Sequence, residues 1–193
     1  MAVLSAAGAN GGQPGGPSRL PLVGRDQAPL TIRSLYAAGE PSNITKALAG
    51  SPDTLAAMAP FLSRVMNPTT LDLATKEVVV LRVSAANRCA YCVPTHEVAA
   101  RRAGLSPAAV AALSSPGPPD ERLAPRERTL ARYCDQVVAD AGAVGDALLA
   151  EMREHFEDHE IVELTVLAGA ITTLNYLASV AGLPLDPGTL DAG

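Results

Sequence analysis

The segment Cys89-Ala90-Tyr91-Cys92-Val93-Pro94-Thr95-His96 holds two of the chain's three cysteines and one of its three histidines. Two thiols at this spacing can close a small disulfide loop. A histidine four residues past the second thiol lies on the same helical face, where it can hold or supply a proton. Upstream, Glu77 is a lone carboxylate in the apolar run Glu77-Val78-Val79-Val80-Leu81. Two thiols, an imidazole and a carboxylate are the parts of a cysteine redox site.

These side chains need elements to hold them. Proline lacks an N–H, and a helix tolerates that only in its first turn unless it kinks. Pro94 therefore predicts a helix that begins near Cys89 to Val93. Its orphan N–H groups and dipole favour thiolate over thiol at Cys92 and Cys89. Arg88 adds positive charge if it turns inward; an exposed arginine is the plainer reading. His96 follows Cys92 by one turn, so it can take a thiol proton or return one to a leaving group. Glu77 falls in line with Leu73, Ala74, Leu81 and Ser84 on the preceding helix. A carboxylate on an inward face must be paired or protonated, and either state suits a proton relay. In the other arrangement the helix is rotated, and a solvated Glu77 pairs with Lys76 or Arg82.

Zinc is the competing use of Cys89, Cys92 and His96, with Glu77 as a fourth ligand. No second C-x-x-C supports it, so no metal is expected. Cys134 sits in the apolar pattern Leu130, Tyr133, Cys134, Val137, Val138 and reads as a small buried hydrophobe. His155 and His159 lie among Glu154, Glu157, Asp158 and Glu160, a solvated corner. The sequence shows no phosphate-binding glycine loop, nucleotide fingerprint or Gly-x-Ser-x-Gly elbow, and no cofactor is expected.

The chain of 193 residues fits one domain with a tail. Alanine and leucine dominate its apolar residues and aromatics are few, which favours packed helices over sheets. A net charge of -5 without a basic stripe argues against nucleic acid and against a membrane surface. Residues 1–29, rich in Gly, Ala, Ser and Pro, read as a mobile tail without a secretory signal, and residues 30–193 as the domain. A close cysteine pair in such a chain fits a reducing, cytoplasmic setting. Helix starts are marked by Asn43, Ser51-Pro52, Thr70 or Asp72, Ser106-Pro107, Pro125, Asp146 and Asp158, the last helix ending at Gly182. Val78 to Val83 is β-branched, but its flanks continue as helix. Ile161 to Ala181 approaches membrane thickness. The polar Glu163, Thr165, Thr172, Thr173 and Asn175 favour a buried core helix, partly covered by another subunit. The expected fold is all-α, a single-domain helical bundle.

The run Lys76-Glu77 … Arg82-Val83-Ser84 … Asn87-Arg88-Cys89-Ala90-Tyr91-Cys92 … His96 … Ala103-Gly104-Leu105-Ser106 resembles the alkylhydroperoxidase-like branch of the carboxymuconolactone decarboxylase family. Ala47 to Pro52, Leu123 to Arg128 and Glu160 to Thr165 resemble other landmarks of that family, from about Leu35 to Leu185 in all. The resemblance implies a helical domain that assembles as a homo-oligomer, often a trimer or hexamer. It implies a peroxidase in which Cys92 attacks a small hydroperoxide, Cys89 resolves the sulfenic acid to a disulfide, and Glu77 and His96 relay protons. A thiol reductant or disulfide-reductase partner would close the cycle. Tyr91 departs from the pattern, because the peroxidase members carry a second histidine between the cysteines. Its hydroxyl is the candidate replacement in the relay. Two other readings stand beside this one. The first is acid–base chemistry on a small organic acid, as in the decarboxylase branch, which lacks the cysteine pair. The second is a redox-sensing or metal-holding module without catalysis.

Overall fold

The computed structural model describes residues 16–118 and 121–190 of the protein. The α-helices are α1 (Asn43–Leu48), α2 (Pro52–Met66), α3 (Leu73–Ala86), α4 (Cys92–Arg102), α5 (Pro107–Ser114), α6 (Pro125–Asp140), α7 (Asp146–Arg153) and α8 (Asp158–Ala181). Among the described residues there is no strand. The helix starts follow local chemistry. Asp72 Oδ1 accepts from Thr75 N at 2.7 Å, and Ser106 Oγ accepts from Ala109 N at 3.1 Å. Proline fills the first position of α2, α5 and α6. One cap differs from expectation. Glu157, not Asp158, caps α8; the Glu160 carboxylate accepts from Glu157 N at 3.0 Å, and Asp158 pairs with Arg153 instead.

Helix α3 runs through the centre and packs against α4, α5, α6 and α8. Its residues from Val78 to Ala85 are all buried, which explains how a β-branched run stays helical. Packing on every side outweighs the modest propensity cost of valine. The two cations beside Glu77 are committed elsewhere. Lys76 Nζ donates to Val65 O at 2.9 Å, to Asn67 O and to Glu163 at 2.6 Å, closing the α2–α3 loop onto α8. Arg82 binds Asp135 at 2.6 Å and the carbonyls of Ser115 and Gly117. Neither pairs with Glu77.

The sequence places residues 16–29 in the tail, and the structure corrects this. Arg19 N donates to Ala181 O at 2.7 Å, Ser18 Oγ donates to the same carbonyl at 3.1 Å, and Tyr36 Oη donates to Val23 O at 2.8 Å. Ala28 is buried. The segment is a strap that satisfies orphan carbonyls at the end of α8. The rest of the expected tail, residues 1–15, lies outside the described residues. Helix α8 is long and apolar enough to cross a membrane by length and composition. One side of it is core: Leu164, Leu167, Ala168, Ile171 and Ala178 are buried, and the helix packs against α3 and α6. Its other side exposes Val162, Val166, Tyr176 and Val180.

Candidate active site

The turn from α3 into α4 is built as a Schellman motif. Arg88 N donates to Ala85 O at 3.0 Å and Cys89 N to Ser84 O at 2.9 Å. Arg88 holds the left-handed position that glycine usually takes, with φ 54°. That reversal aims Cys89 back under α4, whose first residue is Cys92, and Pro94 falls in the first turn as expected. Cys89 and Cys92 are joined as a disulfide, their Cα atoms 5.3 Å apart. Cys92 N donates to Cys89 Sγ at 3.2 Å, so an orphan N–H at the helix start is spent on sulfur.

One turn along α4, His96 Nδ1 stands 2.9 Å from Glu77 Oε2 on α3. Both are mostly buried, with His96 20% and Glu77 13% exposed. A carboxylate only accepts, so this bond places the proton on Nδ1 and leaves Nε2 as the acceptor. Leu73, expected on the inward face with Glu77, is 44% exposed. Helix α3 is so widely buried that its pattern does not fix which way each residue points.

Cys92 and His96 open on a cavity of about 360 Å³. Ile44, Leu48, Leu55, Leu62, Val80 and Ile171 supply its apolar wall, and among the described residues no Asp, Glu, Lys or Arg lines it. Glu77 stands behind His96 rather than in the lining, and Cys89 is likewise outside it. Asn175 and Ser84 add polar lining. Asn175 Nδ2 donates to Ser84 Oγ at 3.1 Å and Asn175 Oδ1 accepts from Asn87 at 3.0 Å.

Tyr91 also lines the cavity, but its hydroxyl turns away from the Glu77–His96 pair. It donates to Asp186 Oδ2 at 2.6 Å and accepts from Ile44 N at 3.5 Å. Burial, then this bond to Asp186, push the Tyr91 phenol far above its ordinary pKa. The expected place of Tyr91 in the relay is not what the geometry provides. Cys134 is fully buried in α6, and desolvation pushes its thiol pKa far up, so it is a packing residue.

A model of the carboxymuconolactone decarboxylase family matches residues 52–132. A solved structure from Agrobacterium tumefaciens, a protein of unknown function named for the antioxidant defence protein AhpD, is 30% identical. The match covers 72% of this chain and 94% of that one, with a TM-score of 0.65. The chain belongs to the carboxymuconolactone decarboxylase family. Within the family it falls in the AhpD-like branch. A peroxidase-related protein from Ralstonia eutropha JMP134, with an alkylhydroperoxidase AhpD core, has the same fold. Its TM-score is 0.80 at 23% identity, over 90% of this chain and 95% of that one. The debrominase Bmp8 shares the fold as well, with a TM-score of 0.70 at 15% identity over 90% of this chain and 95% of that one.

In this member of the family, four of the five residues singled out from sequence converge: Cys89, Cys92, His96 and Glu77. Sequence reasoning placed Ser84 on the inward face beside Glu77 but gave it no role, and it missed Thr95 and Asp186. It noted Asn175 only as a polar residue on α8. A lone amide in an apolar helix is itself a signal, because a buried amide requires partners. Asp186 carries no local signal; its partners are Tyr91 and Asn43, far away in sequence.

Proposed function

We propose that the protein is a thiol peroxidase that reduces uncharged, apolar organic hydroperoxides. The observation that carries this reading is the placement of Cys92 and His96 on one apolar cavity, with Glu77 behind the imidazole. In the reduced enzyme His96 Nε2 takes the Cys92 proton. The thiolate attacks the terminal oxygen of ROOH, the O–O bond breaks, and the alkoxide leaves as ROH with the proton from His96. Cys92 is now a sulfenic acid. The Cys89 thiol attacks that sulfur, its proton passes to the departing hydroxide, which leaves as water, and the disulfide forms. Two electrons have passed from the thiol pair to the peroxide. A thiol reductant returns them, which fits a reducing, cytoplasmic setting.

The decarboxylase-type alternative is less well supported. An organic acid needs a cation to receive its carboxylate, and no Lys or Arg lines the cavity. An apolar organohalide would suit the same wall, and Bmp8 is named as a debrominase. The test exposes fully reduced protein to cumene hydroperoxide and, separately, to a bromopyrrole, and follows free thiols and products. Conversion of cumene hydroperoxide to its alcohol, with loss of two thiols per chain, supports the peroxidase. Bromide release with no peroxide reduction would replace it.

A further inference from the structure

Tyr91 lies between the two cysteines, and its hydroxyl donates to Asp186 Oδ2 at 2.6 Å. The other oxygen of that carboxylate accepts from the Asn43 backbone N–H at 2.7 Å. Asn43 is the first residue of α1, and its side-chain amide donates to Pro184 O at 3.0 Å. Three elements therefore meet at Asp186: the cysteine turn, α1, and the segment that follows α8. Helix α1 supplies Ile44, Thr45 and Leu48 to the cavity wall. The apolar contacts run the same way. Cys89, Tyr91 and Cys92 share a buried cluster with Ala178, Ala181 and Leu183, and Ile44 and Ala47 pack against it.

The Tyr91 proton is held by a carboxylate, so the hydroxyl has none to give to chemistry at Cys92. Its role is positional. The Thr95 hydroxyl donates to Tyr91 O at 2.8 Å, which ties Tyr91 to the first turn of α4, the turn that carries Cys92. Bonded sulfurs stand about 2 Å apart, whereas two thiols must separate to van der Waals contact. Reduction therefore separates the two sulfurs, one on each side of Tyr91 in the chain.

We propose that Tyr91 and Asp186 form a latch that couples closure of α1 over the cavity to the redox state of the Cys89–Cys92 pair. With the disulfide closed the latch is made, as in this structure. Reduction shifts the turn, weakens the Tyr91–Asp186 bond, and lets α1 swing from the cavity so that substrate enters the reduced enzyme. The proposal rests on the redox reading of the cysteine pair and requires no particular substrate.

Hydrogen–deuterium exchange at residues 45–48 tests it in the full chain, oxidised and fully reduced. Reduction is expected to speed exchange about 10-fold, the scale of one lost hydrogen bond to a charged group. Tyr91→Phe and Asp186→Asn should each give fast exchange in both redox states and erase the difference. Circular dichroism checks that each variant keeps its helical content; if one fails to fold, the other decides. Equal exchange in oxidised and reduced wild type would overturn the latch. So would a redox difference that survives in a folded variant. A second readout separates positioning from acid–base work. Tyr91→Phe should leave the pH profile of kcat in place, because the hydroxyl proton is held by Asp186. A displaced pH profile would overturn the positional role. If no hydroperoxide is turned over at all, the proposed function fails, and the exchange experiment still decides the latch.

Discussion

Glu77 Oε2 stands 2.9 Å from His96 Nδ1, bridging the central helix α3 and the cysteine helix α4. The bond does two things at once. It fixes the imidazole tautomer so that Nε2 is the free acceptor. It also gives a positive imidazolium a neighbouring negative charge, so in the proposed cycle a proton taken from Cys92 would rest there until the leaving oxygen needs it. Glu77 is available for this because Lys76 and Arg82, its nearest cations in sequence, are bonded to Glu163 and Asp135.

Glu77→Gln keeps the shape and removes the charge. Reduction of cumene hydroperoxide should slow by about 10²-fold, the usual scale for a displaced acid–base pair. Stopped-flow measurement of disulfide formation in single turnover checks this. Normal turnover in the glutamine variant would remove Glu77 from the mechanism.

The two thiols should divide their labour. Cys92 opens on the cavity and Cys89 does not. Cys92→Ser should abolish peroxide reduction. Cys89→Ser should still react once and stop at a Cys92 sulfenic acid, seen by mass spectrometry as one added oxygen. If Cys92→Ser keeps its activity and Cys89→Ser loses it, the two roles are reversed.

Much of this site could be read from sequence because its parts are local. Pro94 marks the start of α4, and the spacing from Cys92 to His96 is one helical turn. Glu77 was legible as an apolar-run carboxylate, and its link to His96 came from the family resemblance rather than from the helix pattern. Residues Val78 to Ala85 are buried all round, so the pattern carries little rotational phase. Leu73 consequently faces outward against expectation. The strap and the latch were not legible for a different reason. Ser18 and Arg19 reach Ala181, and Asp186 reaches Asn43 and Tyr91, across about half the chain or more. Contacts at such separation leave no period. A glycine- and proline-rich segment looks the same whether it is free or strapped down.

Substrate preference follows from the cavity wall. Each methylene transferred from water to an apolar surface contributes about 0.8 kcal/mol, or about 4-fold in affinity. In a series of primary alkyl hydroperoxides, kcat/KM should climb by up to about that factor per carbon until the cavity of about 360 Å³ is full. Hydroperoxides bearing a carboxylate near the peroxide should be poor substrates, since no cation lines the wall. A flat series, or a preference for the charged compounds, would show that substrate does not enter this cavity.

Acid sensitivity should report on the Lys76–Glu163 pair. Burial acts to raise the Glu163 pKa, but hydrogen bonds from Lys76 and Thr69, with the Lys76 charge, outweigh it and hold the value below normal. A carboxyl depressed in the folded state stabilises the protein above its unfolded pKa, near 4.3, and loses that contribution as pH falls through the lower folded value. Lys76→Met leaves Glu163 with Thr69 but no cationic partner, and strips the donor from the carbonyls of Val65 and Asn67. It should cost about 2–3 kcal/mol at pH 7 and flatten the fall in stability below pH 4. Urea unfolding at pH 7 and pH 3 measures both. An unchanged acid limb in the variant would mean that other carboxylates set it.

Helix α8 should carry an interface between copies of the chain. Val162, Val166, Gly169, Thr173, Tyr176 and Val180 are all exposed, and their spacing alternates between four and three residues. That is the seam along which two helices supercoil. Val162 and Val180 are each 64% exposed in the isolated chain, and Tyr176 is 62% exposed. The small residues Gly169 and Thr173 lie midway, where close approach of two backbones is easiest. Opposite this seam α8 packs on α3, so assembly would brace the helix that holds Glu77. Light scattering at micromolar concentration should therefore give a multiple of the monomer mass. Val166→Glu with Tyr176→Glu places charge in the seam and should yield a monomer of unchanged helical content. A monomeric wild type, or an assembly indifferent to both glutamates, would put the interface elsewhere or nowhere.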